Sequence, residues 1–413
     1  MRHSPLSRSF SNRLGLFLFL ICNLRTTASF QLGKSKLGKL DIFHANKLQM
    51  SIGSLLTSAT AVAGVVAFHE AGHFLAARLQ GMKIQSVNVG YGPKLLSFND
   101  TSDIEYAFRA IPFGGYVAFP SNVEVDDSGQ IIKELDDPNL LQNRPPIQRL
   151  LVISAGVFAN LLLTLLLASG TAITSGISHP IFASGVSVSV DPSPSTPASI
   201  AGLQARDIIT RVNMKQISSN EMAVDDFISE IRKNPGKRLE LQIIRNQKEF
   251  TGFVVPELTG GRSSIGLSVS RHMIDNSIET AKNPLDAMKI GADETVRLTR
   301  ATWNAFCRAV STGFSGNDIG GPISLVKNGA QLAENTPNAI VGFAATVSIN
   351  LAVLNSLPFP ALDGGQFVFV LVELLTGRPL NRDLKEALIG TAFVALLVVG
   401  VTTFVGDLMK LSQ

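Results

Sequence analysis

Four apolar stretches divide this chain, and the segments between them are polar or alternate polar with apolar positions. Ser51–Phe68 carries no charged residue and continues as AVAGVVAFHEAGHFLAARL through Leu79. Leu150–Thr174 is also uncharged, and Asn338–Leu357 and Leu384–Val405 follow near the end. Each is long enough to be read as a membrane-crossing helix. After Arg78 the period changes. IQSVNVGYGPKLLSF and DIEYAFRAIPFGGYVAF alternate, are rich in Val, Phe and Tyr, and are broken by Gly and Pro, which predicts short antiparallel strands with tight turns. The acidic stretch NVEVDDSGQIIKELDDPN reads as a solvated loop. The pattern predicts a polytopic α-helical membrane protein of about four transmembrane helices, with a membrane-associated β-hairpin loop between the first two.

From Ile181 to about Arg271 the chain takes on a soluble character, with ASGVSVSV alternating, DPSPSTP as a turn and LELQIIRNQKEFTGFVV as a hairpin. The phrase STPASIAGLQARDIITRVN is similar to the S-P-A-x-x-A-G-L-x-x-G-D-x-I-x-x-V-N signature of PDZ domains, with Arg206 in place of the usual glycine. The resemblance implies an inserted PDZ-like α+β domain that binds extended peptide ends by strand addition. Pro284–Gly313 then reads as an amphipathic helix whose Trp303 and Phe306 suit a membrane interface. The expected organisation is a targeting leader over 1–50, two spans and the hairpin loop over 51–180, and the PDZ-like domain over 181–271. A helix and connecting loop follow over 272–337, and the last two spans over 338–413.

Composition agrees with the pattern. Only 16% of the 413 residues are charged, against the usual quarter, and the mean hydropathy is +0.25. A net charge of +4 without a dense basic patch argues against nucleic-acid binding. The first fifty residues are basic, then apolar, then Lys-bearing with Asp41 the only acid, the layout of a signal peptide with cleavage near Ala28 followed by a transit-like region. That order resembles the bipartite leaders of algae with secondary plastids and predicts delivery to a plastid envelope or thylakoid membrane. Of the two cysteines, Cys22 lies in this leader, so the mature chain forms no internal disulfide.

The chemistry concentrates at the end of the first span. His69 and His73 are four apart, so a helix stacks both imidazoles on one face, where they can reach one metal ion with Glu70 beside them to activate water. Ionisable groups ending an apolar run are costly unless paired or liganded. The second cluster follows the third span, where Pro358 and Pro360 break the helix before Leu362, Asp363, Gly364 and Gly365. An aspartate in so apolar a setting needs neutralising, which makes Asp363 the third ligand and leaves a fourth zinc position for water. Capping the helix that starts near Gly364 is the other role open to it. In the second span, Ala155 and Gly156 allow close helix packing. Asn160 is either a helix–helix hydrogen-bonding residue or part of the site. Gly114 and Gly115 allow close backbone approach to a neighbour or ligand.

HEAGH in the first span, FGGYV in the loop, AGVFAN in the second span, GGPISLVKNGA at Gly320–Ala330 and NSLPFPALDGG after the third together resemble the site-2 protease family of zinc intramembrane metalloproteases. The likeness covers about residues 52 to 410 and is greatest to the PDZ-containing branch of bacterial stress-response proteases and plant plastid membrane metalloproteases. It implies His69, His73 and Asp363 as zinc ligands and Glu70 as catalytic acid/base, with Asn355 and Asn160 holding substrate backbone; Gly114 and Gly115, on a strand edge near Phe113–Val117 that an extended substrate could join, are read as substrate-binding beside them. The expected partners are single-span membrane protein substrates, peptide tails at the PDZ-like domain and the lipid bilayer. The alternatives are a non-proteolytic membrane scaffold or chaperone built on the PDZ-like domain, and a soluble zincin merely tethered to the membrane.

Overall fold

The structure is a computed structural model that describes residues 51–125, 131–220, 222–259, 262–311, 322–335 and 339–411. The leader over 1–50 lies outside the described residues, as do Gly320 and Gly321 of the GGPISLVKNGA motif. The chain divides into two compact units, residues 1–177 with 279–413, and the inserted Ser178–Ile278. The ends of the insert lie a few residues outside 181–271.

In the first unit, α1 (Ile52–Leu79) starts at Ser51, whose hydroxyl accepts from the Ser54 N–H at 3.0 Å. It stops at Gly81, where a positive φ of 66° lets the Met82 N–H turn back to the Ala77 carbonyl. Strands β1 (Ser86–Asn99) and β2 (Glu105–Ala118) pair with a fold-back, and Ser86–Val89 runs parallel to Glu105–Phe108, so they differ from the expected antiparallel hairpin. Ser86–Val89 pairs with Glu105–Phe108 on one side and with Gly115–Ala118 on the other, while Lys94–Asn99 pairs antiparallel with 105–109. Gly90 and Gly92, at φ 90° and 82°, supply the bend that a side chain would resist. Two strands thus act as four short ones, and Gly115–Ala118 is the outer one beside α1.

The acidic stretch differs from the expected loop. Val123–Val125 (β3) and Ile131–Glu134 (β4) pair antiparallel, because β-branched residues flank its turn residues. Helix α2 (Pro146–Thr174) begins with proline at its first position, where the missing N–H costs nothing. It crosses α1 closely: a Cβ on Gly72 would lie 2.5 Å from the Ala155 carbonyl oxygen and 2.8 Å from the Ala159 Cβ. Small residues on both helices permit this approach.

The inserted unit is a sheet of order β12-β5-β6-β8-β9 with the two-residue β7 (Lys215–Gln216) paired to β6. Its strands are β5 (Ile177–Val188), β6 (Ile208–Val212), β8 (Leu239–Arg245), β9 (Lys248–Val254) and β12 (Val269–Glu279). The short helix α3 (Pro197–Ile200) and the amphipathic α4 (Ala223–Lys233) bury Ala198, Phe227 and Ile231 with the strand residues Val186, Ile209, Leu241 and Ile243. A small hairpin of β10 (Glu257–Thr259) and β11 (Arg262–Ser264) completes it. Asp207, fully buried, accepts two hydrogen bonds from Arg245 at 2.6 and 2.7 Å, which ties the GLQARD turn to β8.

The chain returns through α5 (Pro284–Ser311), which lies along α2, where a Cβ on Gly291 would meet Ser169. Its Thr302 hydroxyl donates to the Asn350 side-chain oxygen at 2.6 Å, so the amphipathic helix presents its small and polar face to the bundle. Helices α6 (Pro322–Asn335), α7 (Ala339–Asn355), α8 (Asp363–Thr376) and α9 (Arg382–Leu411) follow. Every residue of α7 from Val347 to Asn355 is buried, as expected of a helix apolar on all sides and surrounded by others.

Among the described residues, Ile52–Leu79, Pro146–Thr174 and Arg382–Asp407 are long and apolar enough to cross a membrane. The expected third span is shorter than the sequence suggested: α7 has 17 residues, about 25 Å at 1.5 Å per residue, against ~30 Å of hydrocarbon. The turn before Pro358 ends it. An ion pair between Arg149 and Glu373 joins the start of α2 to α8.

Candidate active site

Two elements far apart in sequence converge on one buried point. His69 and His73 project from one face of α1, and Asp363 is the first residue of α8. Their ligand atoms all lie within 4.8 Å of one another. The Nε2 atoms of the two histidines are 3.2 Å apart, and Asp363 Oδ2 is 3.1 Å from that of His69 and 3.3 Å from that of His73. Asp363 does not cap its helix; Leu362 occupies that position, and no side chain caps there.

Asp363 is placed by the prolines before it. Phe359 N–H turns to the Leu357 carbonyl at 2.7 Å, Leu362 N–H to the Phe359 carbonyl at 2.8 Å, and Gln366 Nε2 donates to the Pro360 carbonyl at 3.0 Å. Gly364 and Gly365 lie directly on this turn: a Cβ on Gly365 would be 2.6 Å from Pro360 Cα. The DGG sequence is thus a packing requirement.

The chemistry of the donor set fits a metal ion. His73 Nδ1 is 2.8 Å from the Val152 carbonyl oxygen, so it donates there and leaves Nε2 with a lone pair. That lone pair faces a second imidazole nitrogen and a carboxylate oxygen. Among the described residues, buried Asp363 Oδ2 has no neighbouring polar group but these two imidazole nitrogens. Acceptors gathered this closely in a buried place repel one another unless a cation lies among them. Two imidazoles and one carboxylate are a zinc donor set with one position left for water or substrate.

Glu70 follows His69 on α1 and faces the hairpin. A Cβ on Gly115 would be 3.1 Å from Glu70 Cγ and 2.8 Å from the Asn88 carbonyl oxygen, so the glycine pair lets β2 come up against the glutamate. The Val117 N–H also reaches the Glu70 carboxylate. Gly114 adopts φ 97°, which a side chain would strain.

The two asparagines stand on different sides of His69. Asn355 Nδ2 is 3.2 Å from His69 Nε2, and its buried Oδ1 has no partner among the described residues. Asn160 Nδ2 is 3.1 Å from His69 Nδ1, on the opposite side of the ring.

Sequence reasoning overlooked two contributors. One is the Val152 carbonyl, a backbone group with no signature. The other is Gly156, which the sequence marked only as a helix-packing residue. A Cβ there would sit 2.6 Å from His69 Cε1 and 2.7 Å from His73 Cε1, so the glycine makes room for the imidazoles. Its spacing four before Asn160 was the available signal.

The model of peptidase family M50 matches residues 57–399, which takes in both halves of this site. The chain belongs to peptidase family M50. Among its relatives, a Nostoc sp. chain carrying a zinc metalloprotease name is 36% identical over 366 residues, 87% of this chain and 97% of that one. A Synechocystis sp. chain with a name of the same kind is 36% identical over 366 residues, covering 88% and 96%. The chloroplastic membrane metalloprotease ARASP of Arabidopsis thaliana is 29% identical over 370 residues, covering 87% and 80%. Among solved structures, a PDZ domain of an SdrC-like protein from Listeria monocytogenes matches 22% of this chain and 93% of its own, at 19% identity and a TM-score of 0.19. This M50 member is an intramembrane zinc metalloprotease of the site-2 protease family.

Proposed function

We propose that His69, His73 and Asp363 hold the zinc ion and that Glu70 is the acid/base of peptide hydrolysis within the bilayer. The observation that carries this reading is the convergence of the three donor atoms within 4.8 Å beside Glu70. Zinc held by these residues would polarise the scissile carbonyl and lower the pKa of a water molecule toward neutrality. Glu70 takes the proton from that water on a carboxylate oxygen and passes it to the leaving amine nitrogen. Asn355, on the ligand side of His69, donates its Nδ2–H to the substrate carbonyl.

A transmembrane helix satisfies its own amides, so the substrate must unwind before its carbonyl is reached, and freed amides in lipid need partners. The outer strand Gly115–Ala118, packed on Glu70, is the backbone on which an extended substrate adds as another strand. The exposed Leu95, Leu96, Phe98 and Phe108 of the same hairpin suit contact with lipid. The short helix α7, continued by the proline turn and α8, serves as a fourth crossing around the site. The PDZ-like unit receives the trimmed ends of single-span substrates and admits them to the protease. A leader in residues 1–50 directs the chain to a plastid membrane, a reading supported by its chloroplastic relative.

Reconstitution of the full chain in lipid vesicles with a single-span substrate tests the mechanism. Glu70→Gln is expected to abolish cleavage while the protein keeps one zinc per chain. Cleavage at the wild-type rate by Glu70→Gln would sink the proposed proton transfer. Membrane proteomics of cells carrying the same variant then identifies substrates as accumulated single-span fragments.

A further inference from the structure

We infer that Asn160 is a positioning residue that holds the zinc ligand His69 from behind, and that it makes no contact with substrate. The inference rests on His69 binding zinc through Nε2, as proposed above. A neutral imidazole that ligates through Nε2 carries its proton on Nδ1 and needs an acceptor there. Nδ1 of His69 lies 3.1 Å from the Asn160 amide. The amide's buried oxygen has no partner among the described residues, and the two ends of an amide are told apart only by their neighbours. The ring therefore decides the orientation: Asn160 Oδ1 turns to His69 and accepts the Nδ1–H. The acceptor without a partner then meets the one donor the ring offers on that side.

The surroundings leave Asn160 no route to substrate. It is 0% exposed, and the cleft side of His69 belongs to Asn355 and Asp363. Its own backbone is fixed as well. The Asn160 carbonyl accepts from Thr164 Oγ and from Ser348 Oγ, both at 2.9 Å. Thr164 and Ser348 are themselves 0% exposed. The Ser348 bond ties this turn of α2 to the central helix α7. His73 is held in the same manner by another group of α2, the Val152 carbonyl at 2.8 Å. One helix thus orients both histidines of its neighbour, with a side-chain acceptor for one and a backbone acceptor for the other.

The test measures zinc retention by the purified full chain in lipid nanodiscs, by metal analysis after timed exposure to a chelator, with cleavage recorded separately. Asn160→Leu removes the acceptor and is expected to weaken zinc binding about 10- to 100-fold, the usual effect of losing a ligand's hydrogen-bonding partner. Asn160→Asp keeps an acceptor at the same place and is expected to retain zinc close to the wild type. Ser348→Ala removes only the backbone tie and is expected to retain zinc as well. Zinc retention unchanged in Asn160→Leu, with a raised KM for substrate, would overturn the inference in favour of a substrate contact. Equal loss in Asn160→Leu and Asn160→Asp, or in Ser348→Ala, would overturn it too, because packing and not an acceptor would then be at work. His69→Ala tests the ligand assignment itself: zinc held as tightly as in the wild type would refute that assignment whatever the Asn160 variants do.

Discussion

Gly156 of α2 lies directly against the imidazole of His73, near enough that a methyl group there would come within 2.7 Å of the ring's Cε1. The helix that crosses α1 therefore gives up a side chain where the metal ligands need room. Gly156→Ala is expected to displace both rings, lowering zinc content at least tenfold and abolishing cleavage. Metal analysis of the purified variant checks this. Gly170, in the same helix with open space around its Cβ position, provides the control: Gly170→Ala is expected to leave zinc and cleavage unchanged.

Asn355 stands on the cleft side of His69, and the expected loss differs in kind. Asn355→Ala removes a donor to substrate but leaves His69, His73 and Asp363 themselves in place, so zinc content is expected to stay at the wild-type level. Cleavage falls about 10- to 100-fold, the effect of one buried hydrogen bond left unmade. Parallel measurement of zinc and of initial rates on a single-span substrate separates the two. Wild-type rates would remove Asn355 from the mechanism.

The turn before Asp363 is equally exacting. A Cβ on Gly365 meets the backbone of Phe359 and Pro360, which cannot move aside as a flexible side chain would. Gly365→Ala is expected to shift the first turn of α8 and with it the Asp363 carboxylate, again costing zinc. Chelator-exchange kinetics compared with Asp363→Ala would show the two variants behaving alike.

In the inserted unit, Arg206 occupies a left-handed backbone position, φ 73°, and its N–H bonds to the Val188 carbonyl at 2.9 Å. PDZ-like sequences place glycine there, and the conformation explains why. A non-glycine residue in this region costs about 1 kcal/mol, partly offset because glycine has more freedom to lose on folding. Arg206→Gly is expected to stabilise the unit by up to ~1 kcal/mol, seen as a higher chemical-denaturation midpoint, with no change in zinc content.

The membrane class and both halves of the proposed metal site were legible because apolar runs, the i, i+4 histidine pair and the proline-broken LDGG segment are all local patterns. The length of the third span was not. Asn338–Leu357 reads as apolar throughout, but its helix stops at Asn355 because the chain must turn through Pro358 and Pro360 to deliver Asp363. The fold-back of β1 on β2 was hidden as well, since alternation identifies strands but not which half of one pairs with which half of the other. The β3–β4 hairpin shows acidic residues outweighed by four β-branched positions, Val123, Val125, Ile131 and Ile132. Asn160 could be singled out as a polar residue inside a span, but its direction depends on the contact between α1 and α2, which no single stretch contains.

The order in which the ligands occur along the chain has a consequence for biosynthesis. A ribosome delivers His69, Glu70 and His73 early, and Asp363 only after the PDZ-like unit and most of the bundle have been made. Until then the imidazoles lack the carboxylate that completes their donor set, and the unfinished bundle lacks α7 and the Ser348 tie to α2. The proposed donor set is thus complete only once α8 has been made, and the site is a product of the finished bundle rather than of its first span.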